Sequence, residues 1–248
     1  MIVATWNIGG GYVFSKNSNK FDLEDLDYFI DELKKIQPDI VCFQEIHISQ
    51  NCEQSKKIAK KLGFNFFETK PIANSHLKKE HKLSISIISK YPILSANFFN
   101  LLNPNLQFIW NNKKVFTHNK GFIEAIINYK NVKIRILSGH TVPFHLFGRN
   151  FLDDEFSEIR NQIETIILQK KIPTIVGADM NFEDVKKLLP NVFLKKFKFV
   201  LKNIPTTPQK LKQDKILISN HWELLNSKIV KGESDHYLCY SDVKLKKY

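Results

Sequence analysis

Residues 174–181 read Thr-Ile-Val-Gly-Ala-Asp-Met-Asn. β-Branched residues dominate the first half, so Thr174–Ala178 reads as a buried strand. Asp179 and Asn181 close it, an acid and an amide two positions apart. Similar arrangements recur along the chain. Ile2–Ile8 is a short apolar run that carries Asn7 and opens onto Gly9-Gly10-Gly11, a turn that demands unusual φ/ψ. Asp39-Ile-Val-Cys-Phe-Gln-Glu45 is a second buried strand ending in an acid. His140 closes Val132–Gly139, Asp214 precedes Lys215–Ile218, and Asp235-His236 precedes Tyr237–Tyr240. Strand ends in an α/β sandwich share a face, so polar residues far apart in the chain can converge there.

The remaining pattern fits such a framework. Asp22–Ile36 has apolar residues at helical spacing and stops at Pro38. Glu53–Leu62 is a second helix closed by Gly63, and Phe156–Gln169 a third. Further strands are expected at Phe64–Glu68, Leu83–Ser89, Ile93–Asn100 and on both sides of Asn111-Asn112. Phe122–Tyr129 and Val132–Gly139 form a hairpin around Lys130-Asn131. Ser15–Lys20 and Ser75–Lys82 read as loops, and Phe182–Leu211 carries no clear pattern. No repeat, low-complexity stretch or linker divides the 248 residues, so residues 1–248 are expected to form one α/β or α+β sandwich domain.

The formal charge is +12 and the pI near 9.4. Such a balance favours polyanionic partners, nucleic acid foremost, although an AT-rich genome also enriches Lys, Asn, Ile and Phe without selection for binding. Cys42, Cys52 and Cys239 fit no zinc or redox spacing, and a reducing compartment is expected. The start has no basic n-region followed by a long apolar core, and no apolar run spans a bilayer. A soluble, cytoplasmic protein is therefore expected, as a monomer.

The polar strand ends are rich in oxygen and lack thiols, which suits a hard cation such as Mg²⁺, with Mn²⁺ as substitute. Two histidines beside carboxylates suit proton transfer and charge stabilisation at phosphorus. Taken singly, a strand-end Asp or Asn is more often a turn former. Their joint order carries the weight. Thr5-Trp6-Asn7-Ile8, Gln44-Glu45, Ser86-Ile-Ile-Ser89 with Pro92, Gly139-His140, Gly177-Ala-Asp179-Met-Asn181, Asp214-Lys-Ile-Leu217 and Ser234-Asp235-His236 occur in sequence. This series resembles the endonuclease/exonuclease/phosphatase superfamily from residue 5 to residue 236.

The resemblance implies a four-layer α/β sandwich like that of deoxyribonuclease I, two packed mixed sheets flanked by helices. It also implies a Mg²⁺-dependent phosphodiesterase that drives in-line attack of water on phosphorus. By the same resemblance, Glu45 is the principal metal-binding carboxylate, with Asn7 beside it and Asp235 in support. Asp179 and Asn181 orient water and phosphate, and Asn181 also binds substrate. His236 contacts the phosphoryl oxygen with Asp214 as its partner, and His140 is a candidate acid for the leaving oxygen. The base is Asp179 or the Asp214–His236 pair. Lys120 stands where many relatives place a phosphate contact; its alternative is a solvated hairpin lysine.

Two departures qualify the match. Members of the superfamily usually carry Gly-Asp-Phe-Asn, whereas Ala178 is inserted here and Met180 replaces the aromatic. Gly139-His140 also stands where abasic-site nucleases carry Tyr-x-Pro-Asn, which argues against an abasic-site role. Three readings follow: a nuclease or DNA-end-processing enzyme, a hydrolase of small or lipid phosphate esters, and an inactive nucleic-acid-binding module. At the margins, His145 and Arg149 read as a polar loop and Trp6 as core. Trp110 with Asn111-Asn112 reads as packing or a stacking tip. Lys195–Phe199 is expected as an edge strand with its lysines outward or a grip on single strands. Lys56-Lys57 and Lys60-Lys61 line a helix face that is either solvated or tracks phosphates.

Overall fold

The structure, a computed structural model, describes residues 1–110, 112–201 and 204–246, without the side chains at 110 and 113. Two large mixed sheets pack face to face. The first runs in the order Trp222–Val230, Leu238–Leu245, Ile2–Asn7, Ile40–Ser49, Lys82–Ser89, Phe66–Asn74, with Cys52–Glu53 paired to Ile40–Ser49. The second runs Lys198–Phe199, Asp214–Ile218, Thr174–Asp179, Val132–His140, Gly121–Tyr129, Ile93–Asn100.

Each sheet has one parallel pair at its centre. Ile2–Asn7 pairs in parallel with Ile40–Ser49, matching Asn7 to Gln44. Val132–His140 pairs in parallel with Thr174–Asp179, matching His140 to Asp179. Parallel neighbours run the same way, so their register places Asn7 beside Gln44 and His140 beside Asp179 at the same end of each sheet. The other pairings are antiparallel, including Asp179 opposite Asp214.

Strand alternation sorts the side chains into layers. Val3, Cys42, Ile136, Ile175 and Ile216 point between the sheets and form the central core. Ala4, Trp6, Val41 and Phe43 point outward onto helices Leu26–Ile36 and Gln54–Leu62. Leu137, Val176 and Ala178 point outward onto helix Ser157–Leu168. The expected four-layer sandwich is the observed one. Gly177 lies where the two sheets are in close contact: a Cβ there would come 2.9 Å from Cys42 Cβ and 3.1 Å from Thr5 Cβ. Gln44 ties the sheets across this gap, donating to Thr5 Oγ1 at 3.3 Å and Ser138 Oγ at 3.2 Å.

The structure moves some boundaries. The first helix begins at Leu26, capped by Asp25, because Lys20–Glu24 pairs with Tyr12–Ser15 as a hairpin. Glu53 is the cap of the second helix, and left-handed Gly63 closes it as expected. The Phe66–Asn74 strand runs past Pro71, and Trp222–Val230, for which no strand was expected, pairs with Leu238–Leu245. Cross-strand pairing outweighs local composition in both. Phe182–Leu211 contains the short helices Val185–Leu188 and Pro190–Leu194 and the edge strand Lys198–Phe199. The edge strand expected over Lys195–Phe199 is thus shortened to Lys198–Phe199, with Lys195 and Lys196 in the turn before it; Lys195, Lys196 and Lys198 are exposed, as the outward-lysine reading has them. Lys56, Lys57, Lys60 and Lys61 are exposed on their helix, and Trp6 is core. The tip of the Trp110–Asn112 hairpin lies outside the described residues. Among the described residues no helix is long and apolar enough to cross a membrane.

Candidate active site

The edges of the two sheets meet at one end of the sandwich. There Asn7 Nδ2, from the first sheet, donates to Asp179 Oδ2, from the second, at 3.1 Å. Beyond Asn7 the chain turns sharply through Gly9, Gly10 and Gly11 at φ +48°, +71° and +85°. Close packing also excludes side chains at this turn. A Cβ on Gly10 would sit 2.3 Å from the His47 ring, and one on Gly9 3.2 Å from Asp235 Oδ1.

The second strand does not end at Glu45 as expected but runs on to Ser49, and Glu45 reaches the site through a β-bulge within it. Pairing of Ile40–Ser49 with Lys82–Ser89 shifts register between Phe43 and Ile46, and Glu45 adopts φ +54°. Regular alternation would turn Glu45 outward with Phe43; the bulge re-aims it toward the sheet edge. Asn181 is also left-handed, at φ +47°. Its N–H donates to Asp179 Oδ1 at 2.9 Å and its Nδ2 to Thr141 O at 3.0 Å.

His140 stands among charges. Its Nε2 is 3.7 Å from Glu45 Oε1, 3.5 Å from Asp179 Oδ2 and 2.8 Å from Lys120 Nζ. Lys120 Nζ also lies 4.0 Å from Glu45 Oε1. Lys120 is buried, so the alternative of a solvated hairpin lysine does not hold. Burial and the Lys120 charge push the His140 imidazole down to about 4. It is therefore neutral near pH 7 and accepts a hydrogen bond from the Lys120 ammonium.

His236 is in the opposite state. Its Nδ1 is 2.9 Å from Asp214 Oδ2 and its Nε2 3.8 Å from Asp179 Oδ2. Burial opposes its charge, but Asp214, Asp179 and Asp235 outweigh burial and hold it well above its ordinary value. Burial likewise opposes the Asp179 charge, yet His236 and His140 keep that carboxyl below the usual range. The same balance lowers Glu45: burial works against the charge, and His140, Lys120, His76 and His236 prevail.

Asp235 lacks such compensation. Burial raises its carboxyl, His236 partly offsets that, and neighbouring Glu45, Asp214 and Asp179 add to the rise. Among the described residues its one hydrogen bond comes from Ser234 Oγ at 3.5 Å, and Glu45 accepts none. Two under-bonded carboxylates at this end of the sandwich, with Cys42 and Cys239 buried elsewhere, suit a hard divalent cation. Asp179, Asp214 and His236 also bring ligand atoms within 4.8 Å of one another. However, His236 is held well above its ordinary value, so near neutral pH both ring nitrogens carry a proton, whereas a metal-ligating imidazole must be neutral. The cation therefore fits better on the Glu45 side.

The sequence match extends over residues 4–236, described as the Endonuclease/Exonuclease/phosphatase family. The chain belongs to that family. Solved structures agree on the fold of this family member. A family protein from Leptotrichia buccalis aligns at a TM-score of 0.72 with 14% identity, covering 99% of this chain and all (100%) of that one. The human Nocturnin catalytic domain with bound sulfate aligns at 0.70 with 17% identity, covering 99% and 93%. Humanized D. rerio TDP2 aligns at 0.65 with 14% identity, covering 98% of each chain. No curated protein sequence matches.

All of the site residues read from the sequence gather at this end of the sandwich, drawn from both sheets. Sequence reasoning missed Gln213, whose Nε2 donates to Asn181 Oδ1 at 3.3 Å and lies 3.4 Å from His145 Nε2. Its only signal was adjacency to Asp214. It also missed His76 and His118, which stand in polar loops with no strand-end pattern. Arg149 pairs with Asp153 and Glu155 and stacks over Phe156, away from the site. Met180 is fully buried against the outer core, where the family aromatic would sit. Trp6 does more than fill space: its Nε1 donates to His236 O at 2.9 Å and so fixes that backbone.

Proposed function

We propose that this protein is a metal-dependent phosphodiesterase acting on nucleic acid, as a nuclease or DNA-end-processing enzyme. The observation that carries the reading is the position of Asp179 Oδ2, bonded to Asn7 Nδ2 at 3.1 Å and flanked by His140 and His236 at 3.5 and 3.8 Å. An ionised acid between one neutral and one cationic imidazole supplies a proton acceptor beside a donor for phosphoryl oxygen.

Asp179 accepts the proton of the attacking water, and Asn181 orients the phosphate. The His236 imidazolium donates from Nε2 to a non-bridging oxygen and neutralises charge as the bond forms. Because it is already protonated, the Asp214–His236 pair is the weaker candidate for base. His140 is neutral at pH 7, so it protonates the leaving oxygen only by drawing on Lys120. The acid is therefore the Lys120–His140 pair rather than His140 alone. Glu45, Asp235 and Asn7 would hold Mg²⁺, with Mn²⁺ as substitute, and the ion would supply Lewis-acid stabilisation of phosphoryl charge.

The charge of +12 supports a polyanionic substrate and a nucleic-acid partner. We propose a cytoplasmic monomer made of a single domain. A second reading, hydrolysis of a lipid phosphate ester, is favoured by exposed apolar residues. Ile109 at 72%, Phe116 at 54% and Leu146 at 57% exposure lie on segments leading to Lys120 and following His140. A substrate panel with Mg²⁺ separates the readings: plasmid DNA, single strands, RNA, a 5′-tyrosyl end, sphingomyelin and inositol phosphates. Turnover of a polynucleotide with KM rising steeply with salt is expected; turnover of only the lipid or inositol substrates overturns the nuclease reading.

A further inference from the structure

We infer that His76 and His118 form a clamp for a second phosphate of the substrate, one linkage from the scissile one. This rests on the phosphodiesterase reading above. His76 lies in the loop after Phe66–Asn74, at the edge of the first sheet. His118 lies between Lys113–Phe116 and Gly121–Tyr129, which leads into the second sheet. The loops meet over the end of the sandwich that carries Glu45 and Lys120, and the two rings stand 5.7 Å apart between centroids, inclined at 46°.

Neither imidazole makes a hydrogen bond or ion pair among the described residues. His76 is exposed and His118 half-buried. Both act electrostatically on Glu45 or feel its charge, which sets them beside the reaction centre. Two imidazoles with unused N–H groups, drawn from opposite sheets, form a gap that one phosphate bridges with a hydrogen bond of about 2.8 Å to each ring. A bound metal is a poorer fit for this pair. Among the described residues neither histidine belongs to a group of three His, Cys, Asp or Glu ligand atoms lying within 4.8 Å of one another.

The clamp makes substrate length the specificity element. A dinucleoside monophosphate has only the scissile phosphate, whereas a trinucleotide with two linkages also fills the clamp. With Mg²⁺, the wild-type protein is expected to show the lower KM for the trinucleotide. In the His76→Ala/His118→Ala variant, that KM rises roughly ten-fold or more, the scale of hydrogen bonds to a charged group, while kcat holds. The trinucleotide advantage over the shorter substrate then disappears. A KM advantage that survives in the variant overturns the clamp.

Cleavage of neither compound by the wild-type protein would count against the phosphodiesterase reading instead. The clamp is then read without turnover, by following histidine ring resonances of the wild-type protein during titration with inorganic phosphate. Saturable shifts at His76 and His118 support it, and unmoved resonances overturn it.

Discussion

His236 bridges two carboxylates: its Nδ1 is 2.9 Å from Asp214 Oδ2, and its Nε2, across the ring, is 3.8 Å from Asp179 Oδ2. Asp214 therefore fixes the ring orientation and keeps a proton on Nδ1, leaving Nε2–H directed at the site. The Asp214→Asn variant keeps the shape and loses the charge. It is expected to lower kcat on the order of a hundredfold and to move the alkaline limb of the pH–rate profile downward. An unchanged alkaline limb in steady-state assays contradicts the pairing.

Glu45 and Asp179 carry charge that neighbouring cations stabilise, but neither fills the apolar core. Glu45→Gln and Asp179→Asn are expected to abolish hydrolysis while the thermal melt stays nearly unchanged. EDTA is expected to stop turnover, and Mg²⁺ or Mn²⁺ to restore it. Full activity in either variant, or turnover that resists EDTA, removes the assignment of these groups.

The two histidines impart opposite pH dependence to stability. His236 is raised above its ordinary 6.5, so its stabilisation is complete below pH 6.5 and fades as pH rises through the raised value. His140 is lowered to about 4, so the unfolded chain binds its proton first, and stability falls as pH drops from 6.5 toward 4. Urea midpoints in chelating buffer are expected to decline in both directions. His236→Gln flattens the alkaline side and His140→Gln the acid side; a midpoint independent of pH in the wild-type protein refutes both shifts.

Gly10 combines φ +71° with a Cβ position 2.3 Å from the His47 ring. His47 cannot simply withdraw, because its Nε2 is 2.8 Å from Ser75 Oγ and the ring is fully buried. Gly10→Ala is expected to cost about 1–3 kcal/mol in urea unfolding, from backbone strain and steric overlap together. Adding His47→Ala to Gly10→Ala should recover part of that loss, since it removes the clash. A Gly10→Ala variant as stable as the wild type would show that the turn tolerates a side chain.

Much of this layout was legible in the sequence. Left-handed turns announced themselves through Gly9-Gly10-Gly11 and through Lys130-Asn131, which adopts φ +49° and +66° at its hairpin. Central strands such as Thr174–Asp179 declared themselves by their apolar runs. The elements that escaped were edge strands. Trp222–Val230 mixes charged and apolar residues because one face is exposed, and it is a strand chiefly because Leu238–Leu245 pairs with it. In the strand Lys20–Glu24, residues 22–24 were absorbed into a helical pattern and Lys20 into a loop, because a short hairpin has few residues to set a period.

By itself the sequence determined which apolar runs form the central strands and which polar residues stand near them, since both follow from backbone preference and alternation within a few residues. Only the tertiary structure decided that Asn7 meets Asp179 across the two sheets, that a bulge turns Glu45 inward, and that Lys120 is buried against His140. Those outcomes depend on which surfaces pack together. Packing sums interactions over the whole chain, so no local window carries the information.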